Sequence, residues 1–184
     1  EFETRIRQGA FSPKLLRPIH PIHADVADNV TYKLVGLVAL IPAAIVLSVA
    51  FGATYQLTLG RALAFVPVIL LAFVLRFAVE WTLSLAAFWT TRVGAINQAY
   101  NLAVIFLAGQ MAPLSLFPAP VQTLASVLPY RWMVAFPVEL ILGKVDRSEI
   151  WLGLAMQVGW VAVSLIVLNV VWRFAARRYS AVGA

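Results

Sequence analysis

The sequence predicts an all-α membrane protein with four transmembrane helices and a re-entrant helical hairpin before the last of them. Of its 184 residues, 62% are hydrophobic and only 12% are charged, and its mean hydropathy is +0.88. An ordinary soluble domain is about 25% charged. Apolar runs long enough to cross the roughly 30 Å hydrocarbon layer cover most of the chain. Basic residues flank these runs, as membrane topology requires.

Four apolar runs follow a polar amino-terminal stretch. Residues 1–31 are predicted to form a cytoplasmic loop, and residues 32–184 are predicted to form a transmembrane domain. The predicted spans cover residues 34–54, 62–90, 99–117 and 150–172, and the predicted hairpin covers residues 118–143. Pro42 lies inside the first span, where neighbouring helices can satisfy the carbonyl group that a proline leaves free.

The distribution of basic residues predicts the orientation of the chain. Five of them precede the first span, Arg92 lies between the second and third spans, and three close the carboxyl end. The opposite face carries Arg61, Lys144 and Arg147. By the positive-inside rule both termini are cytoplasmic, so the hairpin belongs to the extracytoplasmic half. The net charge of +6 therefore reflects orientation, and no nucleic-acid partner is predicted.

Several kinds of chemistry have no matching motif. The chain contains no cysteine, which excludes disulfides, thiolate metal sites and a cysteine nucleophile. It has no G-x-x-x-x-G-K-[ST] motif, so it cannot hold ATP in a phosphate-binding loop of that type. No repeat, soluble domain or catalytic triad stands out. The sequence therefore predicts no enzymatic activity, no metal site and no cofactor in this chain.

The segment GQMAPLSLFPAPVQTLASVLPYRW, residues 109–132, interrupts an apolar region with one glycine and four prolines. Irregular backbone is not tolerated against lipid, because an unpaired N–H or C=O group in hydrocarbon costs several kcal/mol. Two short helices, one after Pro118 and one ending before Gly143, are predicted to dip into the membrane and return. The alternative is a kinked span followed by an ordinary external loop.

Polar and irregular positions in this region are the candidates for a transport pathway or gate: Gln110, Met111, Pro113, Phe117, Pro129, Tyr130 and Glu139. In the second span, Arg76 and Glu80 are spaced to share one helical face and pair. Arg76 lies about 21 Å along the span from Ala62, near the cytoplasmic interface. Structural pairing or snorkelling therefore explains the two charges better than contact with a substrate.

The amino-terminal stretch admits two interpretations. His20, His23, Asp25 and Asp28 could form the polar site of a membrane-embedded enzyme that acts on lipid at the cytoplasmic interface. Their spacing is poor for one helical face, because Pro21 interrupts it. The other interpretation is a short cytoplasmic helix with apolar Leu15 and Leu16 between basic residues. A secondary transporter is a further alternative, although no inverted repeat is evident.

The order of several motifs resembles the ABC-2 type permeases of bacterial ATP-binding-cassette exporters. These motifs are G-x-x-x-P-L followed by F-P at residues 109–118, L-P-Y at 128–130, a proline at 137 with a glycine at 143, and the basic LLRP loop at 15–18. The resemblance covers nearly the whole chain. It implies that the four spans correspond to the third to sixth of a six-helix fold. Because the chain opens with Glu1, we expect it to be the later part of a longer protein. The comparison with a six-helix fold implies that the first two spans are the ones it lacks.

The resemblance also implies a mechanism and partners. A coupling helix would dock on an ATPase through Lys14, Leu15, Leu16, Arg17, Pro18 and Ile19. ATP and Mg²⁺ would bind to that ATPase, and the complex would contain a second permease chain, identical or related. The expected location is the bacterial cytoplasmic membrane, in contact with membrane lipid.

Overall fold

The computed structural model describes residues 20–52, 58–90 and 92–178, which form helices and turns and contain no strand. The α-helices are α1 (Ile22–Ala50), α2 (Leu59–Ser84), α3 (Val93–Leu107), α4 (Ala119–Val127), α5 (Pro129–Met133), α6 (Ala135–Ile141) and α7 (Arg147–Arg178). Helices α1, α2 and α7 are long and apolar enough to cross a membrane, and α3 is a shorter apolar helix. The all-α class is confirmed for the described residues, and the protein is a multi-pass membrane protein.

Helix α1 belongs to one compact unit of the chain, and helices α2 to α7 form another. The 29 residues of α1 include none that is buried. The helix begins at Ile22, well before the predicted span at residue 34, so the polar stretch around Asp25 is already helical. It continues through Pro42 and ends before Gly52, whose φ of +62° is readily available only to glycine.

Helices α2 and α7 pack side by side and run in the same direction. About ten residues into each helix, the side chain of Gln157 donates a hydrogen bond to the carbonyl oxygen of Val68. Near the carboxyl ends of both helices, the rings of Trp81 and Trp172 lie with centroids 5.4 Å apart. Helix α2 continues through Pro67, and a short 3₁₀ helix, Leu85–Phe88, extends it. The predicted span 62–90 is therefore helical from residue 59 to residue 88.

Helix α3 ends earlier than the sequence suggested. It covers 15 residues, Val93–Leu107, whereas the third span was predicted over residues 99–117. Gly109 has a φ of +69° and turns the chain away from the helix axis. The apolar sequence continues past this turn, so hydropathy alone extends the span too far. At about 22 Å, α3 is shorter than the roughly 30 Å of hydrocarbon in a bilayer.

Residues 108–143 connect α3 to α7 through a 3₁₀ helix, Leu114–Leu116, and three short α-helices. We call residues 118–143 the hairpin segment, as in the prediction. Its helices contact α2 and α7, and the ring of Phe136 in α6 lies directly on Gly153 of α7. A Cβ atom at Gly153 would overlap that ring. Phe136 is 1% exposed and belongs to a buried cluster with residues of α2, including Val68 and Leu75. The hairpin segment thus packs into the core of its unit.

Candidate functional site

The loop that leads into the hairpin segment is held by a side chain of α4. Gln122 donates a hydrogen bond of 2.7 Å to the carbonyl oxygen of Phe117 and a longer one of 3.4 Å to that of Ser115. Helix α4 begins after Pro118 and has Pro120 at its second position, where a missing N–H group leaves no helical hydrogen bond unmade. The prolines therefore position the start of α4 and do not disrupt it.

The end of α4 is capped by two tryptophan side chains. Leu128 is extended, because the residue before a proline is disfavoured in the helical region, and Pro129 has no N–H group to offer. The indole N–H of Trp132 donates to the carbonyl oxygen of Ser126 at 3.1 Å. The indole N–H of Trp160, in α7, donates to that of Val127 at 3.0 Å. Carbonyl groups that water would normally satisfy are thus satisfied by protein.

The break between α5 and α6 is capped in the same way. Pro137 cannot donate to the carbonyl group of Met133, and its ring would clash with that group in a continuous helix. The chain therefore leaves the helix at Val134 and begins again at Ala135. Gln157 is fully buried, and its amide donates to the carbonyl oxygen of Trp132 at 2.8 Å. This side chain joins α7 to the hairpin segment and to α2.

An ion pair crosses the break between α5 and α6. The guanidinium group of Arg131 donates to the carboxylate of Glu139, with Nη2 and Oε2 3.1 Å apart, and both side chains are about 30% exposed. The guanidinium group also lies 5.3 Å from the ring centre of Trp132. The Nε atom of Arg131 is buried and has no hydrogen-bond partner among the described residues. One hydrogen-bond donor of this charged group is therefore not engaged by the described residues.

The ion pair lines two open cavities, which we call the gate cavities because the larger one is lined by three of the residues predicted for a gate. The larger, of about 490 Å³, lies between the end of α3 and helices α5 and α6; its polar lining residues are Gln110, Ser115, Arg131, Glu139, Lys144 and Glu149. The smaller, of about 390 Å³, is lined by the same pair and by polar residues of the loop and α4: Ser115, Gln122, Thr123 and Ser126. Cations and carboxylates are balanced in this region, so it suits a polar passage better than a site for one strongly charged ligand.

The residues predicted for the pathway do not all gather at these cavities. Gln110, Pro113 and Glu139 line the larger one. Met111 is 68% exposed and lines neither, and Phe117 contributes the carbonyl group that Gln122 caps. Pro129 begins α5, while the ring of Tyr130 packs 6.1 Å from that of Tyr100 in α3. These last two positions shape the hairpin segment and do not line a described gate cavity.

Arg131 is the main site residue absent from the predicted pathway. It lies eight residues before Glu139, a spacing that puts the two about 12 Å apart along the axis of a straight helix. The break between α5 and α6 brings them within 3.1 Å. The sequence signal that could have identified this pair is the presence of one cation and one carboxylate within an otherwise apolar hairpin. The partner of Gln157 was equally hard to identify, because this side chain acts on a carbonyl group 25 residues away in sequence.

The other charged pair lies in α2. Arg76 Nε donates to Glu80 Oε1 at 2.7 Å, one helical turn away, and both side chains are partly exposed. Neither residue lines a gate cavity.

The side chains of the alternative enzyme site are described from His20 onward. His20 accepts a hydrogen bond at Nδ1 from the backbone N–H of Ile22, and its ring lies 6.4 Å from that of His23. Partial burial and the neighbouring His23 lower the pKa of His20. Within the described ranges, no three His, Asp or Glu side chains are grouped so that they could hold a metal ion. The predicted docking residues Lys14, Leu15, Leu16, Arg17, Pro18 and Ile19 lie outside the described residues.

Comparison with known proteins gives one finding. A family model described as ABC-2 family transporter protein matches residues 1–183. Searches of curated proteins and of solved structures return no significant match.

Proposed function

Because the chain belongs to the ABC-2 family of transporter proteins, we propose that it is the permease subunit of a bacterial exporter driven by a separate ATPase chain. The family match over residues 1–183 is the observation that carries this proposal. The working complex would pair this chain with a second permease, identical or related, and with ATPase subunits that bind ATP and Mg²⁺. The chain would reside in the cytoplasmic membrane with both termini cytoplasmic.

The hairpin segment is proposed to be re-entrant, entering the membrane from the end where α2 and α7 begin. Trp160, which caps the end of α4, lies thirteen residues beyond Arg147, or about 20 Å along α7. Side chains lean toward the start of their helix, which reduces this depth by a few ångströms. Even so, the end of α4 lies beside a part of α7 that is several turns beyond its first turn. Capping by indole groups at that depth supports a hairpin that dips into hydrocarbon.

The hairpin segment and the neighbouring ends of the spans would then form an outer gate around the Arg131–Glu139 pair. Because this pair is only partly buried and lines both gate cavities, its rearrangement would open a passage between them. Residues 6–22 would receive the push of the closing ATPase and tilt the spans. We infer the roles of the coupling segment, the spans, the hairpin segment and the outer gate from membership of the ABC-2 family.

The gate can be tested by cysteine labelling, because the chain has no cysteine of its own. Gln110→Cys places a thiol in the larger gate cavity, and a membrane-impermeant maleimide is added from outside. We expect labelling whose rate changes when the ATPase is trapped with vanadate. Met111→Cys is the matched control: it is exposed outside the cavity and should be labelled at one rate in both states. Equal rates in both states at Gln110→Cys would contradict the gate.

The docking segment is tested separately by co-purification. Leu15→Asp combined with Arg17→Glu removes the apolar contact and reverses a charge, so we expect loss of the ATPase from the purified complex. Arg178→Glu, a charge reversal at the other predicted cytoplasmic end, serves as the control. If the double variant retains the ATPase and its stimulated hydrolysis, the docking assignment is wrong.

A further inference from the structure

Helix α7 holds each of the three helices in the hairpin segment at a separate point. The ring of Phe136, in α6, lies on Gly153, and the amide of Gln157 donates to the carbonyl oxygen of Trp132, in α5, at 2.8 Å. The indole N–H of Trp160 donates to the carbonyl oxygen of the last residue of α4 at 3.0 Å. The three residues of α7 follow one another at intervals of four and three, so they lie on one face of the helix.

Helix α2 belongs to the same group of contacts. Val68 and Leu75 of α2 are fully buried in a cluster with residues of α5 and α6. Gln157 also donates to the carbonyl oxygen of Val68 at 3.1 Å, and the rings of Trp81 and Trp172 join α2 to α7 further along. Directed hydrogen bonds and closely packed buried side chains resist sliding. Helices α2 and α7 and the hairpin segment are thus joined at several points, and we call them the hairpin body.

Helix α3 meets the hairpin segment through weaker contacts. Its buried residues Tyr100 and Ala108 pack against apolar side chains of α2 and the hairpin segment. Among the described residues, α3 and the hairpin segment share a single side-chain hydrogen bond, from the hydroxyl group of Tyr100 to the sulfur atom of Met133 at 3.8 Å. A thioether is a weak acceptor. Just beyond α3 the contact is made by small groups, since a Cβ atom at Gly109 would lie 3.7 Å from that of Ala135. Packed helices with such contacts can slide past each other.

The connection from α3 to α4 leaves room for this sliding. Gly109 follows α3 with a φ of +69°, and three of the next four residues are exposed. The other end of the connection is fixed to α4, because Gln122 bonds the carbonyl oxygens of Ser115 and Phe117. The larger gate cavity lies between the end of α3 and helices α5 and α6. Its width therefore depends on the position of α3 relative to the hairpin segment.

We propose that the outer gate opens by displacement of α3 from the hairpin body, which moves as one unit, with residues 109–114 as the hinge. This inference rests on the proposed permease function and specifies which part of the gate moves. The displacement widens the larger gate cavity and leaves the bonds from Gln157 and Trp160 in place. A hairpin segment that moved away from α7 would instead leave two carbonyl groups without their donors, which is costly in hydrocarbon.

Distances between spin labels test this division of the gate. Because the chain has no cysteine, a doubly labelled variant can be diluted with unlabelled wild-type chain in complex with a cysteine-free ATPase, so that distances within one chain are measured. Phe106→Cys in α3 and Leu124→Cys in α4 are each combined with Leu152→Cys in α7, all at exposed positions. We call these combinations the α3–α7 pair and the α4–α7 pair.

Pulsed electron paramagnetic resonance compares the two pairs before and after the ATPase is trapped with vanadate. The distance in the α3–α7 pair should change by at least about 3 Å, the width of the water molecule that an open passage must admit. The distance in the α4–α7 pair should not change. In a complex that traps nucleotide, a changed α4–α7 distance or an unchanged α3–α7 distance would overturn the inference and leave the permease function standing. Absence of any ATPase from the purified complex would contradict the permease function, and the inference with it.

A variant that lacks the attachments tests what holds the hairpin segment on α7. Gln157→Leu combined with Trp160→Phe removes both side-chain donors of α7, so the distribution of α4–α7 distances should broaden. Gln98→Leu combined with Trp151→Phe makes the corresponding changes at exposed positions of α3 and α7 and should leave the distribution unchanged. Equal widths in the two variants would show that these bonds do not hold the hairpin body together and would overturn the inference.

Discussion

Proline has opposite effects in two regions of this molecule. In α1 and α2, Pro42 and Pro67 lie inside helices that continue past them. In the hairpin segment, the chain leaves the helical conformation at Leu128, before Pro129, and again at Val134, three residues before Pro137. The difference lies in what satisfies the backbone: each break has side-chain donors on its open carbonyl groups, from Trp132, Trp160 and Gln157. A proline therefore marks a position where a helix can break. A side-chain donor that bonds the open carbonyl groups stabilises the break where one occurs.

The largest effect is expected where the hairpin segment meets α7. Gly153→Ala places a Cβ atom in the ring of Phe136, so we expect a loss of about 3 kcal/mol in the free energy of unfolding, measured by denaturation in mixed micelles. Gly159→Ala is the control, because a Cβ atom there meets nothing within 4 Å. Adding Phe136→Leu to Gly153→Ala should recover part of the loss. Equal stability of the two alanine variants would show that the ring contact is not close.

The cap on the α5–α6 break should have the next largest effect. Gln157→Leu removes the donor from the buried carbonyl group of Trp132, and we expect a loss of about 1–2 kcal/mol. The loss is limited because the leucine also removes Gln157 Oε1, a buried atom without a partner in the described part of the chain. Gln98→Leu, at an exposed position of α3, is the control. A stability equal to that of the control would mean that the break needs no cap.

The cap on α4 should contribute less, because it is one neutral hydrogen bond. Trp160→Phe keeps an aromatic ring and removes the N–H group that donates to the carbonyl oxygen of Val127. We expect a loss of about 1 kcal/mol in the free energy of unfolding. Trp151→Phe, nine residues earlier on α7 and 74% exposed, provides the comparison. Faster hydrogen exchange at the amides of α4 in Trp160→Phe alone would locate the effect at this helix end.

The smallest effect is expected at a proline that does not break its helix. Pro67 is exposed and α2 is continuous around it, so Pro67→Ala should change the free energy of unfolding by no more than about 1 kcal/mol. Pro137→Ala, at a buried position beside the capped break, should destabilise the protein more. The reverse order would mean that the breaks do not depend on their prolines.

The sequence predicted the long apolar helices well, because hydropathy and length are local properties. It also predicted two short helices within residues 118–143, but the second of them is divided at Val134 into α5 and α6. It misplaced the end of α3, since the turn at Gly109 depends on a backbone conformation that hydropathy does not detect. Arg131 with Glu139, and Gln157 with Val68, could not be paired in advance. The first pair requires a broken helix, and the second joins residues 89 positions apart.

The cap that α7 places on α4 has a consequence for biogenesis. Val127 receives its hydrogen bond from a residue 33 positions later in the chain, and Trp132 from one 25 positions later. While the ribosome has yet to complete α7, both carbonyl groups lack these donors and require water. The proposed entry of the hairpin segment into the hydrocarbon is therefore expected only as α7 is inserted, and until then the segment would wait at the membrane surface.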